Sequence, residues 1–182
     1  GGWEALVDYA EHLDEIVAGR DRGAVREAID DMPGLELQPD AHQGPHKISY
    51  YAPKDGLDER VEELRRRLGL RQLPYSIIAS EDPFADQALI DVIPFGVSKR
   101  HAIEWMRRHR FEEGSRVLFS GDSGNDLEVF VSDIPCIVVA NTPDSVRSRA
   151  KEANESRSES VYFASEKATS GVLEGCRHYG WM

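Results

Sequence analysis

The sequence is short of positive charge: 33 Asp and Glu residues oppose 22 Lys and Arg, a formal net charge of −11 over 182 residues. Affinity for nucleic-acid phosphates comes mainly from clustered cations, so this balance argues against a nucleic-acid partner. An anionic small substrate needs a local positive site. Cysteine is scarce as well. Cys136 sits in an apolar run and Cys176 in an amphipathic stretch, so both read as small buried hydrophobes. They supply neither a disulfide framework nor a cysteine-based metal motif. No apolar run approaches the roughly 18 to 20 residues that a membrane-spanning helix needs. Without a signal segment, the default compartment is a reducing cytoplasm. There is no internal repeat. Neither an initiator Met nor a strand precedes the first helix; the chain opens Gly-Gly-Trp and reads as the continuation of something longer. What is present, 40% apolar and 30% charged residues, suits a soluble globular protein with one good core, or one core and a smaller attached domain.

The first part mixes helices with short strands. Ala5, Leu6, Tyr9, Leu13, Ile16 and Val17 recur at helical spacing, which predicts a helix over 4–18 with Trp3 packed at its start. A second helix spans Arg22 to Asp31, ended by Pro33 and Gly34, and Leu35, Leu37 and Gln38 suit a brief strand. Residues 45–51 alternate, which predicts a strand with a polar, functional-looking face. Val61, Leu64 and Leu68 are the buried stripe of a helix from Leu57 to Leu68. Strands over Tyr75–Ala79 and Ala88–Val92 follow, separated by the acidic turn 81–86. Residues 1–93 thus form an α+β module. Residues 94–182 alternate helix and strand with short links, the pattern of a doubly wound parallel sheet. The expected elements are a helix over 99–110 capped by Ser98, strands at 117–119, 136–140 and 161–164, and helices at 144–154 and 170–179. Glu152 to Glu159 is polar enough for a loose loop.

The chemistry gathers at Gly121-Asp122-Ser123-Gly124-Asn125-Asp126. Val117, Leu118 and Phe119 form an apolar run that predicts a strand buried on both faces, and Leu127, Phe130 and Val131 continue at helical spacing. The acidic turn therefore stands at the carboxyl edge of the sheet, where ligands bind in open α/β folds. Two carboxylates on one turn repel unless a cation or donors lie between them, and hard oxygen ligands suit magnesium together with a phosphate. A solvated turn is the plainer reading of any single Asp-Ser-Gly. The whole string behind an apolar strand favours the magnesium and phosphate site. It is not a calcium loop of the EF-hand type, which needs a Glu at its twelfth position.

Lys99 adds a second signal. A cation in the first turn of a helix opposes the helix dipole, at a cost of a few tenths of a kcal/mol. A phosphate or an aspartyl carboxylate at that terminus compensates it. The alternative, a lysine pointing into water, loses weight because the acidic turn follows one strand–helix step later.

The Gly-Asp-Ser-Gly-Asn-Asp string, the Ser98-Lys99-Arg100-His101 helix start and the strand Pro45-His46-Lys47-Ile48-Ser49-Tyr50-Tyr51 together resemble the haloacid dehalogenase superfamily, in particular its sucrose-phosphate phosphatases. The resemblance covers nearly the whole chain, including Thr169-Ser170-Gly171-Val172-Leu173-Glu174-Gly175. It implies an α/β fold: a Rossmann-like doubly wound parallel sheet, incomplete as a superfamily core, with an α+β cap domain that closes over the core and selects the sugar. It implies that Asp122 and Asp126 hold Mg2+, directly or through water, that Asn125 contacts the phosphoryl region, and that Lys99 neutralises the phosphate and the nucleophile. By the same resemblance Asn141 lies near the substrate, and the cap contacts are His46, Lys47 and Tyr51, with Lys47 alternatively paired to a cap carboxylate. The superfamily's first motif, Asp-x-Asp-x-Thr, supplies the nucleophile; no Asp-x-Asp occurs in these residues. The expectation is a fragment of a sugar-phosphate phosphatase acting on sucrose 6-phosphate or a similar ester, inactive on its own. The alternative is a non-catalytic sugar-phosphate-binding domain associated with a sucrose-phosphate synthase.

Overall fold

The computed structural model describes residues 6–82, 85–155 and 160–182. Trp3, the first two residues of the expected 4–18 helix, Pro83 and Phe84 of the acidic turn, and 156–159 of the polar loop lie outside the described residues. The chain divides into two compact units, Gly1–Val97 and Ser98–Met182. The division falls beyond position 94 because Pro94 is still in register with Tyr75 and Phe95 N–H donates to Pro74 O, so the chain stays with the first sheet until Ser98.

The first unit contains α1 (Val7–Val17), α2 (Arg22–Ile29), β1 (Glu36–Leu37), β2 (Ile48–Ala52), α3 (Leu57–Leu70), β3 (Tyr75–Glu81) and β4 (Ala88–Pro94). Its strands are antiparallel in the order β1-β2-β4-β3. Successive side chains of a strand point to opposite faces. Ile48, Tyr50 and Ala52 therefore share a face with Ile77, Ala88, Ile90 and Val92, and the stripes Val25-Ala28-Ile29 and Val61-Leu64-Leu68 complete that core. Tyr51, Ile78, Leu89, Asp91 and Ile93, of the other parity, are half-buried. Strand β2 begins three residues later than the pattern at 45–51 suggests. Gly44 and Lys47 bridge one another and turn Pro45-His46 out of the ladder before pairing with β4 begins at Ile48.

The second unit contains α4 (Lys99–His109), β5 (Phe119–Gly121), α5 (Leu127–Phe130), β6 (Cys136–Val138), α6 (Asp144–Ala153), β7 (Val161–Phe163) and α7 (Ala168–His178). The three strands are parallel in the order β5-β6-β7. Cys136 and Val138 of the central strand pack with Phe130, Val146 and Ala150 of α5 and α6, while Ile137 and Val139 pack with Val172, Cys176 and Tyr179. Helices on both faces make this the doubly wound arrangement expected for this half. Strand β5 departs from expectation. It lies two residues further on, and Phe119 and Gly121 are half-buried with Ser120 exposed, because β5 is an edge strand paired only with β6 among the described residues. Val117 packs instead with Ile103, Val129 and Ile134.

Two glycines seat α7 on β6. A Cβ on Gly175 would stand 2.4 Å from Ile137 Cγ1, and one on Gly171 would stand 2.3 Å from Glu166 O. Among the described residues no helix is long and apolar enough to cross a membrane.

Candidate functional site

The end of β5 sets the site. Past Gly121 the chain makes a single 3-10 turn, Gly124–Asp126, and enters α5. Asp126 is 2% exposed, a burial that a carboxylate tolerates only when its oxygens are satisfied. Its Oδ2 accepts from the backbone N–H groups of Asp122 and Ser123, each at 3.0 Å, and from Ser123 Oγ at 2.9 Å. Ser123 Oγ also lies 2.8 Å from Asn125 Oδ1. The carboxylate thus closes the turn on itself, and Ser123 with Asp126 forms a reciprocal cap. Gly121 makes room for it, since a Cβ there would lie 2.5 Å from Asp126 Oδ2.

Lys99 reaches this turn from the start of α4. Ser98 Oγ accepts from His101 N at 3.2 Å and fixes the helix start, so the lysine stands in its first turn as read from the sequence. Its Nζ forms an ion pair with Asp126 Oδ1 and donates to Asn125 Oδ1 at 2.7 Å. The compensating anion for a cation at a helix N-terminus is therefore an aspartyl carboxylate of the acidic turn. About half of the Lys99 side chain stays exposed, so the ammonium is not used up by this pair.

Asp122 differs from Asp126. It is exposed, and its Oδ2 accepts from Asn141 Nδ2 at 2.9 Å. No protein donor engages its Oδ1 among the described residues. Asn141, just beyond β6, in turn accepts from the backbone N–H of Ala168 at 2.8 Å. Lys99, Asp122, Asn125, Asp126 and Asn141 are thus brought together at the carboxyl edge of one sheet.

The first-unit candidates are not gathered at one point. His46 precedes β2 and pairs through Nε2 with Asp14 Oδ1 at 2.8 Å, beside a cavity of about 390 Å³ lined also by Arg22 and Tyr75. Lys47 lies 3.5 Å from Asp91 Oδ1, the carboxylate that also takes Ser49 Oγ at 2.6 Å. Tyr51 lines a different cavity, again about 390 Å³, with Glu36, Asp86 and Gln87. Lys47 and Tyr51 share a parity but stand at opposite ends of the stretch, and His46, turned out of the ladder with Pro45, pairs with α1 instead. Asp91, opposite Ser49 in the register, has no signal in the sequence beyond its place in an alternating strand. The roles of Gly121 and Ala168 were equally silent.

Among the described residues no group of three or more His, Cys, Asp or Glu side chains could hold a metal ion. Magnesium does not require such a cage. It commonly uses one or two carboxylates and completes its octahedron with water and substrate phosphate. Asp122, exposed and with one oxygen engaged by no protein donor among the described residues, fits that demand, whereas both oxygens of the buried Asp126 are already taken.

The family model for sucrose-6F-phosphate phosphohydrolase matches residues 3–180. A protein of Nitrosococcus oceani classed by its name among HAD-like hydrolases is 30% identical over 99% of this chain and 52% of its own length. Sucrose-phosphatase 1 of Nicotiana tabacum is 31% identical over 98% of this chain and 39% of its own length. The chain thus spans about half or less of these curated relatives. Among solved structures, the sucrose-phosphatase from Synechocystis sp. PCC6803, in complex with sucrose and phosphate, superimposes with a TM-score of 0.73 at 23% identity. The match covers 96% of this chain and 67% of that one, and shows the shared fold.

Proposed function

This chain belongs to the sucrose-6F-phosphate phosphohydrolase family, and from that premise we propose that the protein carrying it hydrolyses the phosphate monoester of a sugar phosphate such as sucrose 6-phosphate. The observation that carries the reading is the cluster at the β5 edge: a half-exposed ammonium held by a buried carboxylate, one turn away from an exposed carboxylate with a free oxygen. Phosphoryl transfer asks for little covalent chemistry from a protein; it asks for positioning and for neutralisation of charge on the transferred group. Lys99 does the second. Asp126 holds it in place, and Asn125 fixes the second direction of its ammonium.

Asp122 is the carboxylate that would hold Mg2+ directly, with Asp126 contributing through the turn it closes. When bound, the cation supplies Lewis-acid polarisation of the phosphoryl oxygens. In the family's scheme the ester phosphorus passes to an aspartate oxygen as the sugar oxygen leaves, and water then releases phosphate. That nucleophile is assigned to no residue of this chain, which contains no Asp-x-Asp. In the first unit, Lys47 and Tyr51 are the candidates for sugar contact.

The test is phosphate release from sucrose 6-phosphate by the full-length protein. Release that requires Mg2+, and that falls at least 100-fold in Lys99→Met and in Asp122→Asn, is expected. Turnover unchanged by either substitution refutes the reading. A second reading keeps the same cluster as a phosphate-binding site only. It makes the chain a sugar-phosphate-binding domain that partners a sucrose-phosphate synthase, and it predicts ligand binding with no phosphate release.

A further inference from the structure

Asn141 connects the acidic turn after β5 to the start of α7. Its Nδ2 donates to Asp122 Oδ2 at 2.9 Å, and its Oδ1 accepts from Ala168 N–H at 2.8 Å. A carboxylate can only accept and a backbone N–H can only donate, so the two partners determine which way the amide points. No other side chain of that length offers one donor and one acceptor in a plane with no charge. Aspartate would keep the bond to Ala168 and lose the one to Asp122; alanine would lose both.

The far end of this link is rigidly held. Ala168 opens α7 with φ at +46°, a left-handed conformation that a non-glycine residue adopts only under constraint. The constraint is the packing of α7, whose Gly171 and Gly175 lie against Glu166 O, Val139 and Ile137 with no room for a methyl group. The same strand, β6, thus receives the helix along its length and carries Asn141 just past its end. An exposed carboxylate is ordinarily free to rotate. Here one oxygen of Asp122 is pinned to that frame, and no protein donor holds the other among the described residues.

We infer that Asn141 is a positioning residue for the cation-holding carboxylate Asp122, and that it acts through that carboxylate rather than by touching the sugar. The inference rests on the reading of Asp122 given under the proposed function. Groups that hydrogen-bond a ligating side chain typically change metal affinity 10- to 100-fold when removed. Direct substrate contact would instead change the affinity for the sugar phosphate.

The experiment titrates the full-length protein with Mn2+, followed by the electron paramagnetic resonance signal of the free ion. Each variant is measured well below its own Tm in EDTA, so that loss of fold does not count as loss of affinity. Asn141→Ala is expected to raise the Kd for Mn2+ 10- to 100-fold, and to leave the KM for sugar phosphate at saturating metal within twofold. A Kd within twofold of the parent, with or without a raised KM, overturns the inference. Asp122→Asn tests the premise separately. If it leaves Mn2+ binding intact, the assignment of the cation to Asp122 fails, whatever Asn141 does.

Discussion

Adding one methyl group to α7 tests the packing that frames the site. In Gly175→Ala the new carbon would lie 2.4, 2.5 and 2.8 Å from Cγ1, Cδ1 and Cγ2 of Ile137, a side chain that is 0% exposed in the middle of β6. Ordinary contact begins near 3.4 Å, so the helix has to retreat by about 1 Å or Ile137 has to leave its rotamer. Overpacking of this kind costs about 1–3 kcal/mol, and the better helix propensity of alanine returns about 1 kcal/mol. Three contacts below 3.0 Å put the cost at the upper end of that range, so a net loss of about 2 kcal/mol is expected. Gly171→Ala should lose more, because its obstacle is backbone: Glu166 O is 2.3 Å away and is itself held by Ala140 N–H at 2.9 Å. Urea denaturation followed by circular dichroism measures both. Ile137→Ala removes all three opposing carbons, so Gly175→Ala placed in that background should be neutral or stabilising, with a coupling of about 1–3 kcal/mol. If Gly175→Ala is harmless in the parent, or costs the same in both backgrounds, the glycine-dependent seating of α7 is refuted.

Glu174 accepts from the N–H of Ser165, from Tyr162 OH and from the N–H of Glu166, which lowers its carboxyl from 4.5 to about 2. A depressed carboxyl stabilises the fold fully above its unfolded value and loses that contribution as pH falls through the folded one. The urea midpoint of the parent should therefore drop between about pH 4.5 and 2 more steeply than that of Glu174→Gln; equal slopes would contradict the clamp. Burial pushes the Cys136 thiol up to about 12, so alkylation at pH 8 should leave it unmodified in the native protein and label it only after denaturation, as read by peptide mass spectrometry. In the first unit, Tyr50 is 2% exposed and donates to Asp30 Oδ1 at 2.7 Å, so Tyr50→Phe should lower stability by about 1 kcal/mol in chemical denaturation. No loss would mean that Asp30 is equally well served by water.

Much of this was legible from periodicity. Helix α3 starts at Leu57 and α4 at Lys99, as the apolar stripes and the Ser98 cap indicated, and the acidic turn does follow a strand. The cation in the wrong turn of α4 pointed to an anion, and the anion is Asp126. What the pattern missed depends on partners remote in sequence. The alternating pattern runs past the start of β2, because it continues through Pro45-His46-Lys47 while a bridge from Lys47 to Gly44 takes them out of the sheet. The apolar triplet before the acidic turn suggests more burial than β5 has, because such a triplet looks alike at an edge and at the centre of a sheet. In the site, Asp122 and Asp126 look equivalent in the sequence, and only the structure separates them: Gly121 gives one of them a place to be buried. The tether from Asn141 to Asp122 crosses from one strand end to the next, a neighbourhood that no local spacing encodes.

The turn at the end of β5 owes its shape to its own members: the carboxylate of Asp126 ties down the two N–H groups and the hydroxyl of the residues just before it. A loop braced in this way does not need an occupant to keep its form. Within the turn, what is left to readjust is the half-exposed tip of the lysine that meets it.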